Sequence, residues 1–151
     1  MTREKNYERG AKAEERIKVY IQQWATAEST GKRYPDLLLM IGHQPYGVEC
    51  KSLVAVNNAN GGRKGNATIS SAEMAGMNAL VEQGITPCLI VEIRAPCGRA
   101  CYSYFFIPWI QVDAKYSKRR PGVMALTFYW ILQNGENLGR WLVAAKEGMT
   151  K

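Results

Sequence analysis

A chain of 151 residues can bury one substantial core and is too short for a second independent one, so a single domain over residues 1–151 is expected. With 46% hydrophobic and 22% charged residues it reads as globular rather than disordered; no apolar run is long enough for a membrane span, and the polar, charged N-terminus does not read as a secretory leader. From that lack of a span or leader a cytoplasmic protein is expected, in the host cytoplasm if the source is viral, and a formal net charge of +7 with a pI near 9.3 points to an acidic partner.

The first element is a helix over residues 6–24, in which Gly10, Ala13, Ile17, Tyr20, Ile21 and Trp24 recur at helical spacing and form an inward stripe. Gly10 on that stripe would allow close approach to a neighbour. Glu14 falls on the same stripe, whereas Glu15 lines up with Lys18 and Gln22 on the wet side. An inward carboxylate needs a partner; one at the edge of the stripe would only reach water.

Leu37-Leu38-Leu39-Met40-Ile41 is too short for a helix and, bounded by Pro35 and Gly42, reads as a buried strand. Gly42-His43-Gln44-Pro45-Tyr46-Gly47 then turns the chain back as an antiparallel partner, with His43 a turn residue. On the returning strand Val48, Cys50 and Ser52 point to one face and Glu49, Lys51 and Leu53 to the other. Glu49 and Lys51 therefore share a face close to Asp36. Two converging carboxylates are unfavourable unless a cation or a proton joins them, and hard oxygen donors suit Mg²⁺ or Mn²⁺. A lysine beside them would hold a water or a phosphate oxygen. Acids and lysines at strand ends are also commonly just solvated; what distinguishes these is that both halves fall on strands joined by a turn.

Further along, residues 57–66 form an Asn- and Gly-rich loop. A helix over 71–83 ends at Gly84, Ser70 and Glu73 form a capping box at its start, and Met74, Met77 and Val81 make its inward side. Residues 86–93 read as a central buried strand, 94–99 as a turn, and 101–107 as an aromatic strand apolar on both faces, one of which would pack on another subunit. After the basic residues Lys115, Lys118, Arg119 and Arg120, residues 124–132 read as strand, Asn134-Gly135 as a turn and 138–146 as a final helix. Cys50 and Cys88 read as inert core thiols. Cys97 and Cys101 bracket a hairpin tip closely enough to pair, but a cytosolic chain argues for free thiols unless the source is a thermophile. His43 and these cysteines lack zinc-ligand spacing, and there is neither a Gly-x-Ser-x-Gly nor a Gly-x-x-x-x-Gly-Lys motif.

Asn6-Tyr7-Glu8-Arg9-Gly10 with Glu14, then Pro35-Asp36, then Glu49-Cys50-Lys51, resembles the PD-(D/E)XK nuclease superfamily and, more narrowly, the Holliday-junction resolvases of archaeal and RecU type, over residues 7–108. The resemblance implies an α/β, restriction-endonuclease-like core whose mixed central β-sheet is flanked by helices. It also implies a divalent-metal site of Glu14, Asp36, Glu49 and the backbone carbonyl of Cys50, taking Mg²⁺ with Mn²⁺ as a substitute, and an assisting role for Lys51 in attack by water. Arg9, Lys12, Lys32, Arg33, Arg63 and Lys64 would form a DNA-binding rim, and a homodimer would cut a four-way junction by paired symmetric nicks. The loop at 57–66 would either order on DNA or remain plain surface. The chain departs from these resolvases in lacking a glutamine in the helix after the motif, where it has Ser70-Ser71-Ala72-Glu73-Met74. Other readings are a nicking, end-processing or restriction-type nuclease of the same superfamily, or a DNA-binding module that keeps the fold without the chemistry.

Overall fold

Two eleven-residue strands, Gln44–Val54 and Thr86–Pro96, carry the architecture, and the remaining elements are arranged by what they can bury against them. The computed structural model describes residues 3–57, 63–96, 100–118 and 122–149. Helix α1 (Arg3–Ile21) is followed by β1 (Thr26–Ser29), β2 (Leu37–Ile41), β3 (Gln44–Val54), β4 (Val56–Asn57), β5 (Arg63–Lys64) and β6 (Asn66–Ile69). Then come α2 (Ser71–Asn78), which tightens into a 3₁₀ turn at Ala79–Gln83, the strands β7 (Thr86–Pro96) and β8 (Ala100–Pro108), and α3 (Trp109–Ser117). The chain closes with β9 (Met124–Thr127), α4 (Phe128–Asn134), β10 (Glu136–Asn137) and α5 (Leu138–Met149).

Six strands form one sheet in the order β1-β2-β3-β7-β8-β10, with β3 and β7 parallel and the other neighbours antiparallel. This is the mixed α/β sheet flanked by helices that the sequence implies. Residues Cys88 to Ile93 of the central β7 are all buried, as a strand covered on both faces must be. On one face Ile17 and Ile21 of α1 and Leu138 and Leu142 of α5 pack on Leu37, Leu39, Val48 and Ile90. On the other, Met74 and Met77 of α2, Trp109 and Val112 of α3 and Ile131 of α4 pack on Leu53, Leu89 and Val91. Each such side chain contributes about 1.5–3 kcal/mol through burial, so the interior strands β2 and β3 that place Asp36 and Glu49 are anchored in these two cores.

Several expectations change on inspection. The tight turn between β2 and β3 is only Gly42-His43, with Gly42 at φ 61°, and Gln44 to Gly47 already belong to β3. Added to Gly10, a Cβ would meet nothing within 4 Å, so this glycine faces open space and serves no close packing. Leu80, not Val81, is buried after α2, because a 3₁₀ turn repeats every three residues and continues the series Met74, Met77, Leu80. The stretch 124–132 divides at Thr127, whose hydroxyl accepts the Trp130 N–H at 3.2 Å and starts α4. The second half of β8 is covered on both faces by the chain's own elements: Phe106 stacks on Trp141 of α5 at 3.7 Å, Tyr104 stacks on Tyr20 of α1 at 4.5 Å, and Ile107 joins the opposite core. Cys101 and Ser103 in its first half are exposed.

Strand β7 runs on to Pro96 rather than turning at Arg94, and Arg119 and Arg120 lie outside the described residues. Part of the loop at 57–66 pairs as β4 with β5, and β6 pairs with β9; residues 58–62 lie outside the described residues. Cys50 and Cys88 are free thiols, whereas Cys101 is disulfide-bonded, against the expectation for a cytosolic chain. The antiparallel β7–β8 pairing that sets Ala95 opposite Cys101 brings the hairpin limbs within covalent reach. Cys97 lies outside the described residues. Among the described residues no helix is long and apolar enough to cross a membrane.

Candidate active site

Asp36 stands one residue before β2 and is fastened to β3 twice. Its N–H donates to the Val48 carbonyl at 3.0 Å, and its Oδ2 accepts the Cys50 N–H at 2.9 Å. The carboxylate is thereby fixed at the open end of the hairpin beside Glu49. Strand alternation turns Glu49 and Lys51 to the face covered by α2, while Cys50 turns towards α1. Glu49 is buried, and its Oε2 has no hydrogen-bond donor. Lys51 Nζ lies 3.6 Å from Glu49 Oε1 and 2.5 Å from Glu73 Oε2.

Glu73 belongs to the first turn of α2 and has two jobs. Its Oε1 accepts the Ser70 N–H at 3.0 Å while its own N–H donates to Ser70 Oγ at 3.1 Å, the reciprocal capping box expected from the sequence. The remaining oxygen receives the Lys51 ammonium. Sequence reasoning assigned only the cap, because nothing local to residues 70–74 reveals that the start of α2 lies over β3.

Glu14 occupies the other side of β3. It lines a cleft of about 690 Å³ with Ser29, Lys32, Arg33, Asp36 and Cys50. Asp36 is the link, within electrostatic range of Glu14 on one side and of Glu49, Lys51 and Glu73 on the other. Of the basic residues singled out, Lys32 and Arg33 line this cleft and Lys12 lines an adjoining groove; the side chains of Arg9, Arg63 and Lys64 lie outside the described residues.

The charges explain one another. Burial, then the neighbouring Glu73 carboxylate and Asp36, push the Glu49 carboxyl far above the usual range, with Lys51 opposing. Burial also raises Asp36, against the Cys50 N–H and Lys51. Burial and then Asp36 raise Glu14, against a hydrogen bond with Ser29. Burial would raise Glu73 too, but contacts with Glu49, Lys51 and the Ser70 N–H outweigh it and hold that carboxyl down. Among the described residues Lys51 is the one ammonium facing Asp36, Glu49 and Glu73, so burial and the neighbouring carboxylates favour the protonated form of Glu49. The Cys50 thiol is pushed well up by burial and is no nucleophile.

An oxygen-rich pocket with a buried donorless carboxylate oxygen fits a hard divalent cation, which would supply the missing positive charge and displace the proton on Glu49. Among the described residues no group of three His, Cys, Asp or Glu side chains converges tightly enough to hold an ion. Asp36 and Glu49 are the pair placed to do so, and Mg²⁺ commonly takes one or two carboxylates and keeps its remaining ligands as water.

No protein-family model matches the chain, and no curated protein matches it. Among solved structures, Hjc, a Holliday junction resolvase from the archaeal hyperthermophile Archaeoglobus fulgidus, superposes with a TM-score of 0.61 at 14% identity, over 89% of this chain and 95% of that one. In fold, this chain resembles an archaeal Holliday junction resolvase.

Proposed function

We propose that this protein is a metal-dependent endonuclease that resolves four-way DNA junctions by paired symmetric nicks. The observation that carries the reading is the site itself: the buried, donorless Glu49 Oε2 beside a backbone-clamped Asp36, with Lys51 on the same face. A fold like that of a junction resolvase supports it.

Asp36 and Glu49 would hold Mg²⁺, or Mn²⁺ in its place, with the Cys50 carbonyl as a further ligand and Glu14 contributing from the α1 side. Such an ion, when bound, polarises the scissile phosphate and lowers the pKa of a coordinated water. The hydrogen bond from the Cys50 N–H fixes the Asp36 carboxylate in advance, so no reorganisation is needed as charge develops. Lys51, restrained between Glu49 and Glu73, keeps its ammonium at the edge of the site, where it orients water or stabilises the charge formed in line. Lys32 and Arg33 in the cleft wall would meet phosphates, so branched shape and backbone dominate recognition over base identity. A four-way junction presents two strands to be cut symmetrically, which calls for a homodimer with two sites. The reading places the protein in the cytoplasm.

A degenerate binding module has no reason to keep Glu14, Asp36, Glu49 and Lys51 together. The test is substitution: Asp36→Asn and Glu49→Gln should each abolish metal-dependent cleavage while junction binding survives. Normal cutting by either variant would remove the assigned site.

A further inference from the structure

Next to the cleft of Glu14 and Asp36 lies a second groove of about 620 Å³, and the two share Gly10 and Cys50 in their walls. The two therefore adjoin at Gly10, which has no side chain to narrow the passage between them. Buried Glu92 supports the second groove. It accepts from Arg16 Nε and Nη2 at 2.8 Å each, from Ser52 Oγ at 3.0 Å and from Tyr104 OH at 3.1 Å, which ties α1, β3 and β8 to β7. The Arg16 guanidinium, held there, lies 4.7 Å from the centroid of the Tyr102 ring.

Charge in the groove is one-sided. Glu92 is neutralised by Arg16, and Lys51 is engaged by Glu49 and Glu73. That leaves the exposed Lys12 and Arg94, neither of which makes an ion pair among the described residues. Two uncommitted cations in an open polar groove that adjoins the carboxylate cleft complement a polyanion laid across both.

We infer that this groove is the track of the DNA strand flanking the scissile phosphate, with Lys12 and Arg94 each holding a backbone phosphate. The inference rests on DNA being the partner and adds the path the strand takes. Each phosphate contact releases condensed counterion, so losing one lowers the salt slope of binding by about one.

The test is fluorescence anisotropy of a labelled four-way junction in chelator, with salt varied from about 50 to 300 mM. It compares the wild type with Lys12→Gln/Arg94→Gln and with Lys115→Gln/Lys146→Gln, which removes the same charge from α3 and α5, outside the lining of either the groove or the cleft. The groove pair should lower the slope by about two and the control pair by much less. Both groove residues are exposed, so the variant should keep the wild-type melting temperature. Equal slopes for the wild type and the groove variant, or equal losses in the two variants, would overturn the track. If the wild type binds with the expected slopes yet never cuts in Mg²⁺ or Mn²⁺, the nuclease reading falls and the track stands. Cutting with unchanged slopes does the reverse, and absence of DNA binding removes both.

Discussion

At the scale of single residues, the site is governed by a shortage of positive charge: among the described residues Lys51 alone faces Asp36, Glu49 and Glu73. The pH dependence follows from the directions of the shifts. Glu49, an acid raised above its ordinary value of 4.5 by folding, binds a proton that the unfolded chain does not; its contribution to stability is full below that value and is lost as pH rises towards its folded pKa. Glu73 is shifted the other way, so its contribution is present above the ordinary value and disappears as pH falls. In chelator, thermal unfolding of the wild type should therefore weaken between about pH 5 and 9, by up to about 1.4 kcal/mol per unit, and Glu49→Gln should flatten that decline. An equally steep decline in the variant would mean that Glu49 is not the group holding the proton. That Asp36, Glu49 and Lys51 come together was legible in the sequence because a turn and the two-residue period of a strand are local. Glu73 was not, since its contact with Lys51 crosses from α2 to β3 and depends on tertiary placement.

At the scale of elements, α2 couples stability to the site. Ser70→Ala removes half of the capping box and should lower stability by about 1 kcal/mol, seen as a lower midpoint in denaturant. Gly76 lies against Tyr34, two residues before Asp36, and a Cβ there would overlap the Tyr34 ring. Gly76→Ala should cost about 1–3 kcal/mol through overpacking and displace the segment that carries Asp36. A melting temperature equal to wild type for Gly76→Ala would contradict that packing. The elements found from the sequence are those with strong periodicity or capping, namely α1, β2, β3, α2, β7, β8 and α5. Strands β1 and β6 were missed because Thr26–Ser29 and Asn66–Ile69 are four-residue segments of mostly small or polar residues, and pairing with β2 and β9 makes them strands. The split of 124–132 at Thr127 was hidden by β-branched and aromatic residues that suit a strand, until a hydroxyl cap on Trp130 tips the balance.

At the scale of the whole molecule, the mixed sheet places Asp36 and Glu49 through its interior strands β2 and β3, with α1 and α2 on opposite faces of β3. Glu14 reaches the site from the first of these helices and Glu73 from the second. The basic surplus of +7 was visible from composition, but its arrangement was not. Lys32 and Arg33 line the carboxylate cleft, and the register that sets Arg94 beside Val54 across β3 and β7 appears only once strands 40 residues apart are paired. The measurement that tests the account most directly is cleavage of a labelled four-way junction beside a linear duplex of the same sequence, with Mg²⁺ and then with chelator. The account predicts paired, symmetric nicks in the junction alone, lost with chelator. Equal cutting of both substrates would contradict junction selectivity, and binding without cutting in either Mg²⁺ or Mn²⁺ would contradict catalysis at Asp36 and Glu49.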